Sequence, residues 1–211
     1  MTDSERTTRD RILDEATRLF HTRGFKGTSI GDLLSAAGVT KGSLYFHFAG
    51  KHDLGLRVLT RARERFLTFI RESLAGDTPR ERLHRFFDAA VSTHNRTGFV
   101  GGCLWGNTAL EMSDTDPDYV SVVSGVFDEW TRLIAEVVAE GQERGEFRND
   151  IPADLLASNI VAALEGGIMQ SRLKKTREPM ENCIESLKRM VAPAGGAGRA
   201  GKTAKRRSKK R

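Results

Sequence analysis

The chain has 211 residues, of which 38% are hydrophobic and 29% charged. This composition excludes disordered, collagen-like and membrane-embedded proteins and allows a sizeable buried core. The formal net charge of +6 is unevenly placed, because residues 199–211 hold eight basic residues and no acidic one. Without those eight, 26 of the 34 basic residues remain against 28 acidic ones. Bulk charge therefore does not predict that the body of the protein binds nucleic acid.

Residues 1–11 lack the apolar segment of a secretion signal. No uncharged apolar stretch approaches the roughly 18 residues needed to cross a bilayer. The two cysteines, Cys103 and Cys183, are far apart and fit no metal-ligand spacing, which is typical of a reducing compartment. We expect a cytoplasmic, nucleoid-associated protein with no membrane contact.

Apolar residues recur at helical spacing along almost the whole chain, and convincing strand-type alternation is absent, which predicts an all-α fold. Glycine, proline and N-cap signals divide the chain into helices. Thr28 is the predicted N-cap of the second helix, and Thr40 caps a very short third one. The other helices are predicted at about residues 7–23, 51–74, 79–96, 102–113, 116–145, 152–173 and 178–191.

Residues 28–51, TSIGDLLSAAGVTKGSLYFHFAGK, place two capped helices on either side of a turn that contains Gly38. This arrangement predicts a helix-turn-helix. No acidic residue occurs between Gly38 and Gly50, which suits a phosphate-lined DNA groove. Small residues would let the backbone approach the DNA, while a lysine can reach a base edge or a phosphate. The side chains expected to face DNA are those of Thr40, Lys41, Gly42, Ser43, Tyr45 and His47.

The segments GFKGTSI, AAGVTKGSLYFHF and KHDL, all within residues 12–56, resemble the DNA-binding domain of tetracycline-repressor-type (TetR family) transcriptional regulators. The resemblance implies a homodimer that binds a near-palindromic operator in double-stranded DNA and is released by a small-molecule effector. By position it implies phosphate contacts from Thr28, Tyr45, His47 and Lys51. Thr40, Lys41 and Ser43 would touch bases or the phosphates beside them.

The helix pattern, the resemblance and the low-complexity composition of residues 193–211 together give a domain scheme. Residues 1–50 would form the three-helix DNA-binding domain, residues 51–192 a helical effector-binding and dimerisation domain, and residues 193–211 a disordered basic tail. Within the first domain, Phe46 and Phe48 are expected in the core, because aromatic side chains anchor helices. The side chain of Tyr45 would either pack in the core or contact DNA. The side chain of Lys51 would either bind a phosphate or be an ordinary solvated lysine.

The segments GGCLWGNTALEMSD (residues 101–114) and EPMENCIESLKRM (residues 178–190) resemble a subgroup of the family, some of whose members respond to electrophiles or oxidants. Cys103 is therefore a candidate sensor, and its alternative role is that of a small buried hydrophobe. In the first turn of a helix the dipole would lower the pKa of its thiol. Asn107 and Glu111, one turn apart, would either contact an effector or cap a neighbouring segment.

Aromatic and sulfur-containing residues in this half would line a pocket for an apolar effector, although helical spacing places most of them in the core. The candidates for the pocket or the sensor are Cys103, Trp105, Asn107, Glu111, Phe127, Trp130 and Met169. The helix at 152–173 has apolar or small residues on more than one face, so we expect other helices to pack against it on two sides. The resemblance implies that this helix and the last one form a four-helix bundle between two subunits.

Other sequence motifs lack the flanking structure that their function requires. GAGRAGKT at residues 196–203 matches a phosphate-binding loop, but no strand precedes it and no helix follows. The five histidines offer no metal-ligand pair on one helix, and no nucleophile is paired with a base, so we expect no enzyme, metal or cofactor. The tail is a solubilising extension or, as we favour, an arm that adds sequence-independent DNA affinity. The alternative functions are an architectural nucleoid-type protein that relies on this tail and an activator of the same fold.

Overall fold

The computed structural model describes residues 7–193, so all but the first residue of the predicted tail lies outside the described part. The described residues form α-helices and no strand, which confirms the predicted all-α fold. The helices are α1 (Thr8–Arg23), α2 (Ile30–Ala37), α3 (Lys41–His47), α4 (Lys51–Ser73), α5 (Pro79–Arg96), α6 (Leu104–Met112), α7 (Pro117–Glu143), α8 (Ala153–Lys174) and α9 (Glu178–Val191).

Local signals determine most helix starts. The Thr78 side chain accepts a hydrogen bond from Glu81 N, and Pro79 opens α5. The predicted cap of α2 is wrong by one residue. Ser29 is the N-cap, where it forms a reciprocal capping box with Asp32. Thr28 instead lies fully buried, and its Oγ1 donates to Gly24 O over 2.8 Å.

The first three helices and the start of α4 share one hydrophobic cluster. Leu54 and Val58 of α4 belong to it, although both lie beyond the predicted domain boundary at residue 50. The same helix contributes Leu67 and Ile70 to the large core formed with α5, α7, α8 and α9. The continuous helix α4 therefore joins the N-terminal helices to the rest of the molecule.

One side of α8 packs against α7 and α9. Its other side is uncovered and carries apolar and small residues at helical spacing. We call this set the outer stripe of α8. It consists of Leu155, Ala162, Gly166, Met169 and Leu173. Leu155, Met169 and Leu173 are 59%, 59% and 82% exposed. Within the single chain, α8 is therefore packed on only one of the two sides that were predicted to be buried.

Among residues 7–193, no helix is long and apolar enough to cross a membrane.

Candidate nucleic-acid interface and ligand cavity

The position of α3 is determined by the residues before it and by its buried side. Gly38 adopts a left-handed conformation, with φ of +60°, and turns the chain after α2. Thr40 Oγ1 then accepts from Ser43 N over 3.2 Å, which confirms the predicted N-cap. Leu44 and Phe48 are buried in the N-terminal cluster. These anchors leave the opposite side of the helix in solvent.

We call the uncovered side chains and backbone of α3 the recognition face. Lys41, Gly42 and Tyr45 on it are exposed, and Ser43 and His47 are half-buried. Lys41 Nζ lies 5.9 Å from the Tyr45 ring centroid, so the cation and the aromatic ring form one patch. None of these positions carries an acidic side chain. The face therefore offers the positive potential and the donors that a DNA groove needs.

Lys51 lies at the start of α4, beside the loop that follows α1. Its Nζ lies 4.5 Å from the Phe25 ring centroid. Burial lowers the pKa of its ammonium group, and the nearby Glu111 carboxylate opposes that shift. The half-buried stem fixes the direction of the side chain.

Two expectations for this interface are corrected by burial. The side chain of Thr28 is fully enclosed and bonded to Gly24 O, so its hydroxyl is not displayed for a phosphate. Phe46, expected in the core, is 84% exposed and stands edge-on to His47 with ring centroids 5.0 Å apart. Sequence reasoning missed the exposure of Phe46 because a seven-residue helix with two adjacent aromatic residues, Tyr45 and Phe46, has no clear apolar stripe.

Phe46→Ala should weaken operator binding about tenfold and leave the melting temperature unchanged, because an exposed ring contributes to an interface but not to the core. The matched control is Phe48→Ala, which removes a ring that is 1% exposed and should cost about 3 to 5 kcal/mol of stability. Fluorescence anisotropy with operator DNA and thermal melting measure the two effects. A large loss of melting temperature in Phe46→Ala would contradict this assignment.

A cavity of about 390 Å³ lies between α1, α4, α5, α6, α7 and α8. We call it the central cavity. It brings together three of the predicted effector residues, Cys103, Trp105 and Trp130. Phe66, Phe69 and Phe86, which were not predicted as pocket residues, also line it. Phe66 lies edge-on to Trp130 with ring centroids 5.2 Å apart.

The other predicted effector residues lie elsewhere. Asn107 and Glu111 line a cleft of about 310 Å³ beside the end of α1, and Phe127 lines a cleft of about 210 Å³ between α6 and α7. Met169 is 59% exposed on the outer stripe of α8 and lines none of these three cavities. The prediction that it faces a pocket is corrected, because the neighbouring Ile168 is the residue of α8 that lines the central cavity.

Asn107 and Glu111 both contact neighbouring segments within the protein. Glu111 accepts hydrogen bonds from the backbone N–H groups of Phe25 and Lys26, the first over 2.8 Å. Asn107 donates to Gly101 O over 2.6 Å and accepts from Arg172 over 2.7 Å. These bonds match the capping alternative. The Glu111 bonds connect α6 directly to the loop that follows α1, and the Arg172 bond connects α6 to α8.

Cys103 is the N-cap of α6, close to the predicted start of this helix, but this position does not lower the pKa of its thiol. Burial raises its pKa well above the ordinary value, and the nearby carboxyl of Glu165 raises it further. Burial also raises the pKa of Glu165, whose Oε1 has no hydrogen-bond partner among the described residues. The expectation of a lowered thiol pKa is therefore wrong. Desolvation exceeds the effect of the helix dipole.

His21 of α1 touches the same wall, with Nε2 lying 2.8 Å from Gly102 O. Thr17 and His21 of α1 both line the central cavity. A molecule in the cavity would therefore contact α1 itself, without an intermediate helix.

His94 of α5 predicts an acid sensitivity of folding. Burial and the neighbouring His21 lower its pKa from 6.5 to about 4, so the folded state holds it neutral while the unfolded chain takes up a proton below pH 6.5. The stability that depends on neutral His94 is therefore fully present above pH 6.5 and is lost as the pH falls towards 4. Between pH 7 and pH 5 the wild type should lose up to about 2 kcal/mol more than His94→Gln in urea unfolding. Parallel pH profiles for the two proteins would contradict this.

His52, Asp116 and Asp118 meet where α4 and α7 begin. His52 Nε2 lies 3.0 Å from Asp116 Oδ2 and 3.6 Å from Asp118 Oδ2. Their ligand atoms lie within 4.8 Å of one another. This group was not predicted, because His52 lies in α4 whereas Asp116 and Asp118 lie at the start of α7. The three side chains form a polar cluster at the junction between the N-terminal helices and the body.

Comparison with known proteins covers nearly the whole described chain. Residues 12–58 match the tetR family of bacterial regulatory proteins, and residues 79–187 match the tetracyclin repressor-like C-terminal domain. The transcriptional repressor DhaR of Mycobacterium sp. (strain GP1) is 30% identical over 188 residues, which cover 88% of this chain and 93% of DhaR. The transcriptional repressor NemR of Escherichia coli K12 is 26% identical, over 90% of this chain and 96% of NemR.

Solved structures show the same fold. A regulatory protein TetR from Rhodobacter sphaeroides superposes with a TM-score of 0.83 at 27% identity and covers 88% of this chain and 99% of that one. The reduced form of E. coli NemR superposes with a TM-score of 0.78. The likeness extends over the helix-turn-helix and the helical body together.

Proposed function

Because the chain belongs to the TetR family of DNA-binding transcriptional regulators, we propose that it is a dimeric repressor that leaves a palindromic operator when its central cavity is filled. The observation that carries the proposal is the cavity's position. It lies against α1, which packs directly on α2 and α3. Effector binding and DNA binding therefore share one rigid element.

The recognition face supports DNA binding through particular residues. Lys41, Gly42, Ser43 and Tyr45 would enter the major groove, and Thr40, at the capped N-terminus of α3, would lie nearest the phosphates. His47 and Lys51 would hold the adjacent backbone. Phosphate contacts fix the register, and Lys41 is the side chain with the reach to read a base edge.

The outer stripe of α8 supports dimerisation. Its three large apolar side chains are exposed in the single chain, and Ala162 and Gly166 between them permit close approach of a second copy. Two such stripes packed across a two-fold axis, together with α9, would form a four-helix bundle. The two recognition faces would then meet half-sites about 34 to 36 Å apart, which is one turn of DNA.

Release follows from the contacts between α6 and the N-terminal helices. Glu111 holds the backbone of Phe25 and Lys26, and Gly102 O lies against His21. A molecule that displaces the Cys103 to Trp105 segment would move both contacts and change the spacing of the recognition helices. To lower operator occupancy a hundredfold, the effector must favour the released state by about 2.7 kcal/mol.

The domain scheme and the tail remain part of the proposal. We place the DNA-binding domain at residues 1–50, with α4 as the shared connector. Residues 194–211 lie outside the described part of the structure. Their eight basic residues would add salt-dependent affinity without choosing the sequence.

A competition footprint on the protein's own promoter region tests this function. A repressor should protect one palindromic segment in the presence of a large excess of nonspecific DNA, and Lys41→Ala should abolish that protection. Protection that disappears with competitor, or that depends on residues 194–211 rather than on Lys41, would favour an architectural DNA-binding protein instead.

A further inference from the structure

The central cavity combines an apolar interior with a cationic opening. Its interior is formed by buried side chains such as Trp105, Phe86 and Trp130. The charged side chains in its wall are all basic: Arg61, Arg65 and Arg96, together with the titratable His21 and His94. No aspartate or glutamate lines it. An opening of one sign raises the local concentration of ligands of the opposite sign.

Two of these arginines lack a carboxylate partner. Arg61 is paired, since its guanidinium donates to Asp14 over 2.8 Å and to Thr17 over 3.2 Å. Arg65 and Arg96 form no ion pair with any carboxylate among residues 7–193, and Arg96 donates only to Thr93 there. Both are exposed, so they stand at the opening, one on α4 and one on α5.

The interior also holds a donor without an acceptor. Trp130 is 3% exposed, and its Nε1–H has no hydrogen-bond partner among the described residues. An unsatisfied buried donor destabilises the protein, and an acceptor atom on a bound molecule would remove that penalty. A purely apolar ligand would leave it unsatisfied.

The nearby histidines and Glu165 do not reverse the charge of this site. His94 is held neutral because burial lowers its pKa to about 4. Glu165 lies behind Cys103 and outside the lining, and burial raises its pKa, which favours the uncharged acid. The fixed charge at the opening is that of the arginines.

We propose that the central cavity binds a small organic carboxylate, with an apolar body against the aromatic wall and its carboxylate held by Arg65 and Arg96. A cavity of about 390 Å³ lies near the lower end of ligand-site volumes, which limits the body to one or two rings or a short chain. The guanidinium group suits this role because it binds a carboxylate in bidentate geometry. The claim that this carboxylate is the effector rests on the proposed function, whereas the claim that the cavity binds it does not.

The test compares 2-naphthoate with its neutral isostere, 2-naphthamide, by isothermal titration calorimetry on the full chain. Naphthoate should bind at least about tenfold more tightly, since a charge-assisted pair is worth roughly that factor. Arg65→Gln and Arg96→Gln should each lower naphthoate affinity about fivefold to tenfold and leave naphthamide affinity unchanged. The matched control is Arg63→Gln, an exposed arginine of α4 that does not line the cavity, and it should change neither affinity.

Equal affinities for the two compounds, no binding of either, or an equal loss in Arg63→Gln would overturn the proposal. A second measurement, operator binding with and without saturating naphthoate, separates this inference from the proposed function. If naphthoate binds through the arginines but operator affinity is unchanged, the ligand class stands and its role as effector fails. If naphthoate does not bind selectively, the ligand class fails while sequence-specific DNA binding stands.

Discussion

Met169→Glu should convert the dimer to a monomer and reduce operator affinity by at least about a hundredfold. Met169 is 59% exposed in the single chain and is the middle one, in sequence, of the three exposed large apolar side chains on the outer stripe of α8. In a two-fold bundle a glutamate there would face its own copy, unpaired and desolvated. Loss of the dimer removes the effective concentration that links the two half-sites, which is worth two or more orders of magnitude.

The control for this substitution is Leu110→Glu, which makes the same kind of change at a residue that is 87% exposed on α6 and does not belong to the outer stripe of α8. Sedimentation velocity gives the oligomeric state, and anisotropy with operator DNA gives the affinity. Met169→Glu should melt as a folded monomer, and Leu110→Glu should remain dimeric. A dimeric Met169→Glu with wild-type affinity would place the dimer interface elsewhere.

The second large effect is expected at Gly55 of α4, which packs against Tyr119 of α7. A Cβ at this position would overlap Tyr119 Oη and lie 2.6 Å from Phe25 Cε2. Both neighbours are held, Tyr119 within its buried cluster and Phe25 against that ring with centroids 4.9 Å apart. Gly55→Ala should therefore cost about 2 to 3 kcal/mol through overpacking, and it should also loosen the contact between the loop after α1 and the body.

Gly125→Ala is the matched control, because Gly125 also lies inside a helix but has open space where its Cβ would be. Alanine there should stabilise the protein by about 0.5 to 1 kcal/mol, as expected for a helix interior. Urea unfolding measures both changes. Equal effects of the two substitutions would show that helix propensity, and not the packing against Tyr119, determines the cost.

Local signals made most of the fold predictable. The span of α5 follows from Thr78 and Pro79 at its start and a loop at its end, and all of these signals lie within a few residues of the helix. The cap of α2 shows the limit of such signals. Thr28 and Ser29 are both capable N-caps, and the choice between them depends on Asp32 and on the burial of Thr28 beneath α1.

Long-range contacts account for what the sequence did not give. The N-terminal place of Cys103 on its helix was predictable, but the high pKa of its thiol depends on burial and on Glu165, 62 residues away. Arg65 and Arg96 lie on amphipathic helices, where charged residues ordinarily face solvent. Their convergence at one opening appears only when α4 and α5 pack together. The proposed dimer stripe was predictable from the apolar residues on two faces of α8, whereas the outward position of Met169 was not.

The most direct test of the account is operator affinity after the central cavity has been filled by a covalent group. Cys183→Ser protein, in which Cys103 is the remaining cysteine, is treated with N-ethylmaleimide at alkaline pH until mass spectrometry shows complete alkylation. Competition gel shifts then compare it with untreated protein and with identically treated protein that also carries Cys103→Ser. The account predicts about a hundredfold loss of operator affinity for the alkylated protein alone. Complete alkylation of Cys103 with operator affinity unchanged would contradict it.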